Sequence, residues 1–200
     1  MMSLVEAARA PDYPAEIIVV ISNRPDAAGI AWAKAQGIAT VVIDHKAFKS
    51  REAFEAELDK ALLASKADII ALAGFMRLMT PGFVKKWQTR MINIHPSLLP
   101  NFKGLHTHEQ ALAAGVKIAG CTVHFVRAEM DAGPIIAQAA VPVLSGDTAD
   151  TLSARVLSAE HLLYPAALRL LASGRVTCAD EKVTISQDIN DSLPLLSPNR

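Results

Sequence analysis

Cysteine is scarce in this chain: only Cys121 and Cys178 occur among 200 residues, and they lack any CxxC spacing. So few thiols in a chain this long exclude a disulfide framework and indicate a reducing, cytoplasmic compartment. Charge of one sign is also lacking, because 20 Lys and Arg balance 20 Asp and Glu. No global field would hold the chain on nucleic acid or on an anionic membrane, so an anionic ligand must be caught locally. The opening stretch "MMSLVEAARAPDYP" has neither a basic segment nor an apolar one behind it. No apolar run approaches the roughly 20 residues needed to span a bilayer, and neither export nor membrane insertion is expected. What the chain does have is a hydrophobic composition of 51%, enough for one well-buried core.

Short β-branched runs alternate with Ala-rich amphipathic stretches, the pattern of βαβ units around a parallel sheet. "EIIVVIS", "ATVVI", "ADIIALA" and "RMINI" read as the early strands, with helices expected at 26–36, 51–65 and 81–88. Pro25 and Pro81 stand near the amino ends of two of these helices, where a missing N–H costs little. The early chain is therefore read as doubly wound. A helix is expected at 107–114, then "KIAGCTVHFV" and "PIIAQAAVPV" as an antiparallel pair joined through "RAEMDAG". A long helix over 148–172 and a closing hairpin "GRVTCADEKVTI" follow, and 188–200 reads as a loose tail. At the start, "SLVE" has the form of a capping box, with Ser3 at the N-cap and Glu6 three residues on. A doubly wound domain normally opens instead on a strand and a tight phosphate-binding loop that feeds its first helix.

Three of the six histidines fall in "NIHPSLLPNFKGLHTH", residues 93–108. A metal site is disfavoured for His95, His106 and His108, because no Cys lies nearby and no HExxH or two-by-two ligand pattern is present. A punctuated turn accounts for Pro96, Pro100 and Gly104 but not for the polar Asn93 and His95 at the end of an apolar strand. Strand carboxyl ends are where open α/β sheets bind ligands, and alternation puts Asn93 and His95 on one face with Ile94 on the other. An amide N–H beside a protonated imidazole is a receptor for a developing oxyanion, which suggests acyl transfer. A carboxylate would favour the charged ring, and Asp131 in "EMDAGPI" is the candidate, with a solvated turn residue as the plainer alternative. His124 in "TVHFV" reads as a half-buried strand residue and Cys121 as an ordinary core residue.

Taken together, "LAGFMRLMTPGFV", "NIHPSLLPNFKGLHTHEQAL", "GCTVHFVRAEMDAGPII" and "ARVLSAEHLLYP" resemble the phosphoribosylglycinamide formyltransferase family of purine biosynthesis, over residues 3–175. The Asn-x-His-Pro-Ser-Leu-Leu-Pro element with a downstream Asp marks the 10-formyltetrahydrofolate-using superfamily, and "GLHTH" its glycinamide ribonucleotide branch. The resemblance implies a Rossmann-like α/β fold, mostly parallel with antiparallel strands toward the carboxyl end. It implies formyl transfer from 10-formyltetrahydrofolate to the amino group of glycinamide ribonucleotide, without a metal. Asn93 and His95 would polarise the formyl oxygen, and Asp131 would keep His95 protonated and help move the proton. The folate would lie against Met76, Arg77, Leu78 and Met79 and against Arg127, Ala128, Glu129, Met130 and Asp131. Arg51 would meet its tail carboxylate. Gly74 and Ile94 would line the nucleotide side, with Glu160 at the ribose. Met76 and Met79 also read as simple core residues.

Two departures from the family pattern stand out. Relatives begin with a strand and a Gly-Ser-Asn loop that holds the substrate phosphate, so the resemblance makes residues 1–187 a formyltransferase domain without its first strand. Neighbouring strand edges would then lie unpaired. Leu157 stands where relatives can offer the nucleotide a polar side chain. Rival readings are a 10-formyltetrahydrofolate hydrolase, against which "GLHTH" argues, and a methionyl-tRNA formyltransferase, which would need an added RNA-binding domain and a basic surface. A non-catalytic folate or nucleotide binder is the reading from another class. The expected partners are small molecules, with no nucleic acid and no membrane, and the expected state is a monomer or a homodimer.

Overall fold

A computed structural model describes residues 1–186, so the tail expected at 188–200 lies outside the described residues. The chain runs α1 (Met2–Ala8), β1 (Val19–Ser22), α2 (Ala28–Ala35), β2 (Ala39–Val42), a 3-10 turn at His45–Ala47, then α3 (Arg51–Ala64) and β3 (Ile70–Leu72). It continues through α4 (Pro81–Lys86), β4 (Met91–His95), α5 (Thr107–Ala113), β5 (Ile118–Phe125), β6 (Ile135–Pro142) and α6 (Ala149–Ala172), and the described residues end on a hairpin of β7 (Val176–Ala179) and β8 (Lys182–Ile185). Every strand and helix expected from periodicity is present, most of them trimmed at the ends.

Local chemistry sets several boundaries. Ser50 caps α3 by accepting from Ala53 N–H at 3.1 Å, and Thr80 caps α4 with Pro81 in its first turn. Thr148 and Thr151 cap α6 reciprocally. The capping box expected at Ser3 and Glu6 does not form. The helix starts two residues earlier, with Met1 as an N-cap whose carbonyl accepts from Leu4 and Val5 N–H, so Ser3 is already inside the first turn.

The early strands make parallel ladders and the later ones antiparallel, as the resemblance implied. β1 pairs with β2 in parallel, β3 with β4 in parallel, and β5 and β6 extend the second sheet antiparallel in the order β3-β4-β5-β6. Helices cover both faces, and β4 shows how alternation divides them. Ile92 turns to the cluster under α1 and α6 with Leu4, Tyr164 and Leu168. Met91 turns to the cluster under α3 and α4 with Phe54, Phe83 and Trp87. A third cluster, Cys121 with Val141, Leu152 and Val156, seats α6 on the antiparallel pair. The strands do not form one continuous sheet: β1 and β3 border a cavity of about 860 Å³ instead of each other.

Candidate active site

β4 ends in Asn93 and His95, the polar pair that the sequence singles out. Asn93 pairs across the ladder with His124 and His95 with Thr122, so Asn93, His95 and His124 gather at one end of the β4–β5 pair. His95 is buried, with 5% of its surface exposed, and acceptors flank both of its ring nitrogens. Nε2–H donates to the Phe102 carbonyl at 3.0 Å, and Nδ1 lies 3.5 Å from Asp131 Oδ2. A carbonyl can only accept, so Nε2 carries the proton of that hydrogen bond while Nδ1 faces the carboxylate.

Asp131 is the hub of two loops. Its Oδ2 accepts from Gly104 N–H at 2.9 Å, and its Oδ1 lies 3.9 Å from His124 Nε2. The loop after β5 is thereby tied to the loop after β4. Asp131 (φ 51°), Phe102 (φ 54°) and His106 (φ 58°) all adopt left-handed backbone conformations around this point. Such conformations cost roughly 1–3 kcal/mol each outside glycine and collect where a site must be held in one arrangement. The plainer reading of Asp131 as a solvated turn residue does not hold, since its side chain is 11% exposed between two histidines.

Two buried residues organise this cluster: His124, read from the sequence as a half-buried strand residue, and Thr122, which sequence reasoning did not single out. His124 Nδ1–H donates to the Phe125 carbonyl at 2.9 Å, which leaves Nε2 of the neutral ring as an acceptor 3.4 Å from Asn93 Nδ2. The Asn93 amide is thus oriented from behind. Burial lowers the His124 pKa, with His95 and Arg127 adding to the effect against the Phe125 hydrogen bond and Asp131. Thr122 Oγ1 donates to the Ser97 carbonyl at 2.7 Å and accepts from Leu99 N–H and Gln138 Nε2, each at 3.0 Å. That fully used hydroxyl fixes the Pro96–Pro100 turn beneath His95. The signal for both residues was cross-strand register with Asn93 and His95, which requires the β4–β5 pairing to be known.

The other residues of interest divide by position. Met76 and Leu78 stand exposed on the loop after β3, and the Arg77 guanidinium lies 6.0 Å over the Phe54 ring. Met79 differs from its neighbours: it is 7% exposed and packs in the core with Phe54 and Phe83, so of its two readings it takes the core one. Arg51 opens α3. Glu55, buried on the same helix, accepts from Thr80 N–H at 2.7 Å and from its hydroxyl, anchoring the far end of the Gly74–Met79 loop. Arg127 turns away from the cluster and donates to both Glu181 oxygens, at 2.8 and 3.1 Å. Ala128, Glu129 and Met130 are exposed beside it. Gly74, at φ 68°, also lines the large cavity, and Ile94 is half-buried.

Burial raises the Glu160 pKa against the pull of the Met1 amine, which places the two close together. His108 has its pKa lowered by burial, with His95 near enough to add to the effect. His106 pairs with Glu109 at 3.3 Å, on the exposed side of α5. Among the described residues no three His, Cys, Asp or Glu side chains are grouped as metal ligands. The large cavity contains none of Asn93, His95 and Asp131, so it is a separate feature from the polar cluster.

The formyl transferase family model matches residues 1–168. The chain is 52% identical over 176 residues to the trifunctional purine biosynthetic protein adenosine-3 of Bos taurus, covering 88% of this chain and 17% of that protein. It is 43% identical over 176 residues to the phosphoribosylglycinamide formyltransferase of Escherichia coli K12, covering 88% of this chain and 83% of that one. Among solved structures, glycinamide ribonucleotide transformylase 1 from Symbiobacterium toebii superposes with a TM-score of 0.88 at 47% identity, over 92% of this chain and 86% of that one.

Proposed function

Because the chain belongs to the formyl transferase family, we propose that it transfers a formyl group from 10-formyltetrahydrofolate to the amino group of glycinamide ribonucleotide, the purine-biosynthetic reaction. The observation that carries this reading is the Asn93–His95–Asp131 cluster at the carboxyl end of β4, with the buried His95 setting its Nδ1 3.5 Å from Asp131. In the proposed step the substrate amine attacks the formyl carbon, and the C=O electron pair moves onto oxygen. Asn93 N–H and the His95 imidazolium stabilise that oxyanion. The His95–Asp131 separation is long for a hydrogen bond, which leaves Nδ1–H available to a substrate oxygen. The tetrahedral intermediate collapses with cleavage of the bond to the folate N10. The amine loses one proton and N10 gains one, with Asp131 as the group able to relay it.

In this reading 10-formyltetrahydrofolate is a cosubstrate and no metal takes part. The exposed Met76 and Leu78 offer the folate an apolar contact, and Arg51 faces its tail. The backbone of residues 127–131 serves the folate, since the Arg127 side chain is held by Glu181. Gly74, Ile94 and Glu160 are assigned to the nucleotide. No helix among the described residues is long and apolar enough to cross a membrane, and the reaction is assigned to the cytoplasm on the two free thiols.

The test is formyl transfer by the 200-residue chain, followed through the absorbance of the folate product with and without glycinamide ribonucleotide. Nucleotide-dependent turnover is expected. Turnover that is equal without the nucleotide would make the chain a hydrolase, and folate binding without turnover would make it a binder.

A further inference from the structure

The loop between β5 and β6 carries Asp131, and its base is closed by backbone: Val126 N–H donates to the Met91 carbonyl and Phe125 N–H to that of Pro134, each at 2.9 Å. Between these ties, side chains hold it. Asp131 accepts from Gly104 N–H, and Glu129 lies 3.7 Å from Lys103. Arg127 reaches the closing hairpin, where Nε and Nη2 donate to the two Glu181 oxygens at 2.8 and 3.1 Å. The Arg127 side chain is 14% exposed, and its Nη1 donates to the Val126 carbonyl at 3.0 Å. A guanidinium so covered needs its partners, and a bidentate carboxylate fixes its direction as well as its distance. The stem is fixed too. Arg127 Cγ lies 3.3 Å from where a Cβ on Gly133 would stand, and that Cβ would come within 1.7 Å of the Phe125 carbonyl oxygen. The stem thus lies along a glycine two residues beyond Asp131.

Glu181 is the less expected member of the pair. β7 and β8 are joined by Asp180 and Glu181 alone, with Ala179 opposite Lys182, and both turn residues have left-handed backbones, at φ 49° and 56°. That geometry is the tight hairpin turn in which Asp-Gly or Asn-Gly is the usual pair, because a second residue without a Cβ adopts it freely. A glutamate there is held against its backbone preference, and residues so held collect where a side chain has a task. We infer that Glu181 is a positioning residue: through Arg127 it anchors the loop after β5 and so sets the Asp131 carboxylate against His95. The closing hairpin supplies none of Asn93, His95 and Asp131, yet it steadies their arrangement from outside. The inference rests on the formyl-transfer reading for its kinetic consequence and on the hydrogen bonds alone for its structural one.

Three variants of the chain test it: Glu181→Gly, which suits the turn and removes the pair; Arg127→Met, which keeps the stem and removes the charge; and both together. Gly104 N–H is bonded to Asp131, so its hydrogen exchange reports the carboxylate's place whatever the chain catalyses. Each variant is expected to speed exchange at Gly104 about 10-fold, with the β7–β8 ladder as protected as in the parent. Each is also expected to lower kcat for formyl transfer about 10-fold and to raise the folate KM. The glycinamide ribonucleotide KM should stay unchanged, a split that lost stability alone does not produce. Two residues acting as one clasp make the double variant no worse than either single. Unchanged Gly104 exchange, or additive losses in the double variant, would overturn the anchor. Faster exchange in Glu181→Gly with Arg127→Met like the parent would assign the effect to the turn and overturn it as well. So would a double variant faster than Glu181→Gly, because the freed guanidinium would then be capturing Asp131. A parent chain without nucleotide-dependent turnover would reject the formyl-transfer reading, and Gly104 exchange would still decide the clasp.

Discussion

Asp131 holds Gly104, His95 and His124 together from one carboxylate. Asp131→Asn keeps the shape of that group and removes its charge, so the loop should stay in place while the partner of the imidazolium is lost. Its kcat for formyl transfer is expected to fall about 100-fold or more, with a melting temperature close to that of the parent, measured by steady-state assay and differential scanning calorimetry. His124 carries a different consequence. Burial lowers its pKa, so the fold prefers the neutral ring and the unfolded chain binds the proton more readily. Its contribution to stability is present above the unfolded value of about 6.5 and is lost as pH falls toward the lower folded value. Urea midpoints taken across that window should drop for the parent chain and drop less for His124→Gln. A parallel loss in both would reject the assignment.

Between residue and molecule, the elements supply the rigidity that the cluster needs. The Pro96–Pro100 turn has no regular secondary structure, yet three hydrogen bonds converge on Thr122 Oγ1 from β5 and hold it under β4. Thr122→Val keeps the size and removes all three, leaving Leu99 N–H and the Ser97 carbonyl to find other partners. A loss of about 2–4 kcal/mol is expected in chemical unfolding, and a drop in kcat should accompany it because the turn carries Phe102 toward His95. On the side proposed for the folate, Glu55 fixes Thr80 at the end of the Gly74–Met79 loop. Glu55→Ala is expected to raise the folate KM several-fold with little change in kcat, since it loosens a binding loop and leaves the Asn93–His95–Asp131 cluster intact; steady-state kinetics separates the two.

Across the whole molecule, α6 is the beam on which the layers meet. Tyr164, buried within it, donates from its hydroxyl to the Leu72 carbonyl at 2.7 Å and lies 3.2 Å from that of Ile92, so one side chain ties the helix to both β3 and β4. Tyr164→Phe keeps the ring and the packing and leaves those carbonyls short of a donor. It is expected to cost about 1–2 kcal/mol and to lower the melting temperature by roughly 2–8 °C, and no change would show that the hydroxyl is not a structural tie. Elsewhere α6 is seated by Arg155, which pairs with Asp147, and by Arg169, which pairs with Asp12 near the other end.

By itself the sequence determined the elements and their kind, because strand alternation, helix period and capping residues are local properties of the chain. Asn93 and His95 could be placed on one face of one strand for the same reason. Only the tertiary structure decided which distant groups met them: that His124 and Thr122 face them across β5, that Asp131 reaches back to both histidines, and that Met79 faces the core while Met76 faces outward. Such outcomes depend on register and on loop paths, which are settled by long-range packing. The gap between β1 and β3 belongs to the same category. Its facing walls became definite only when the helices on both faces held them apart.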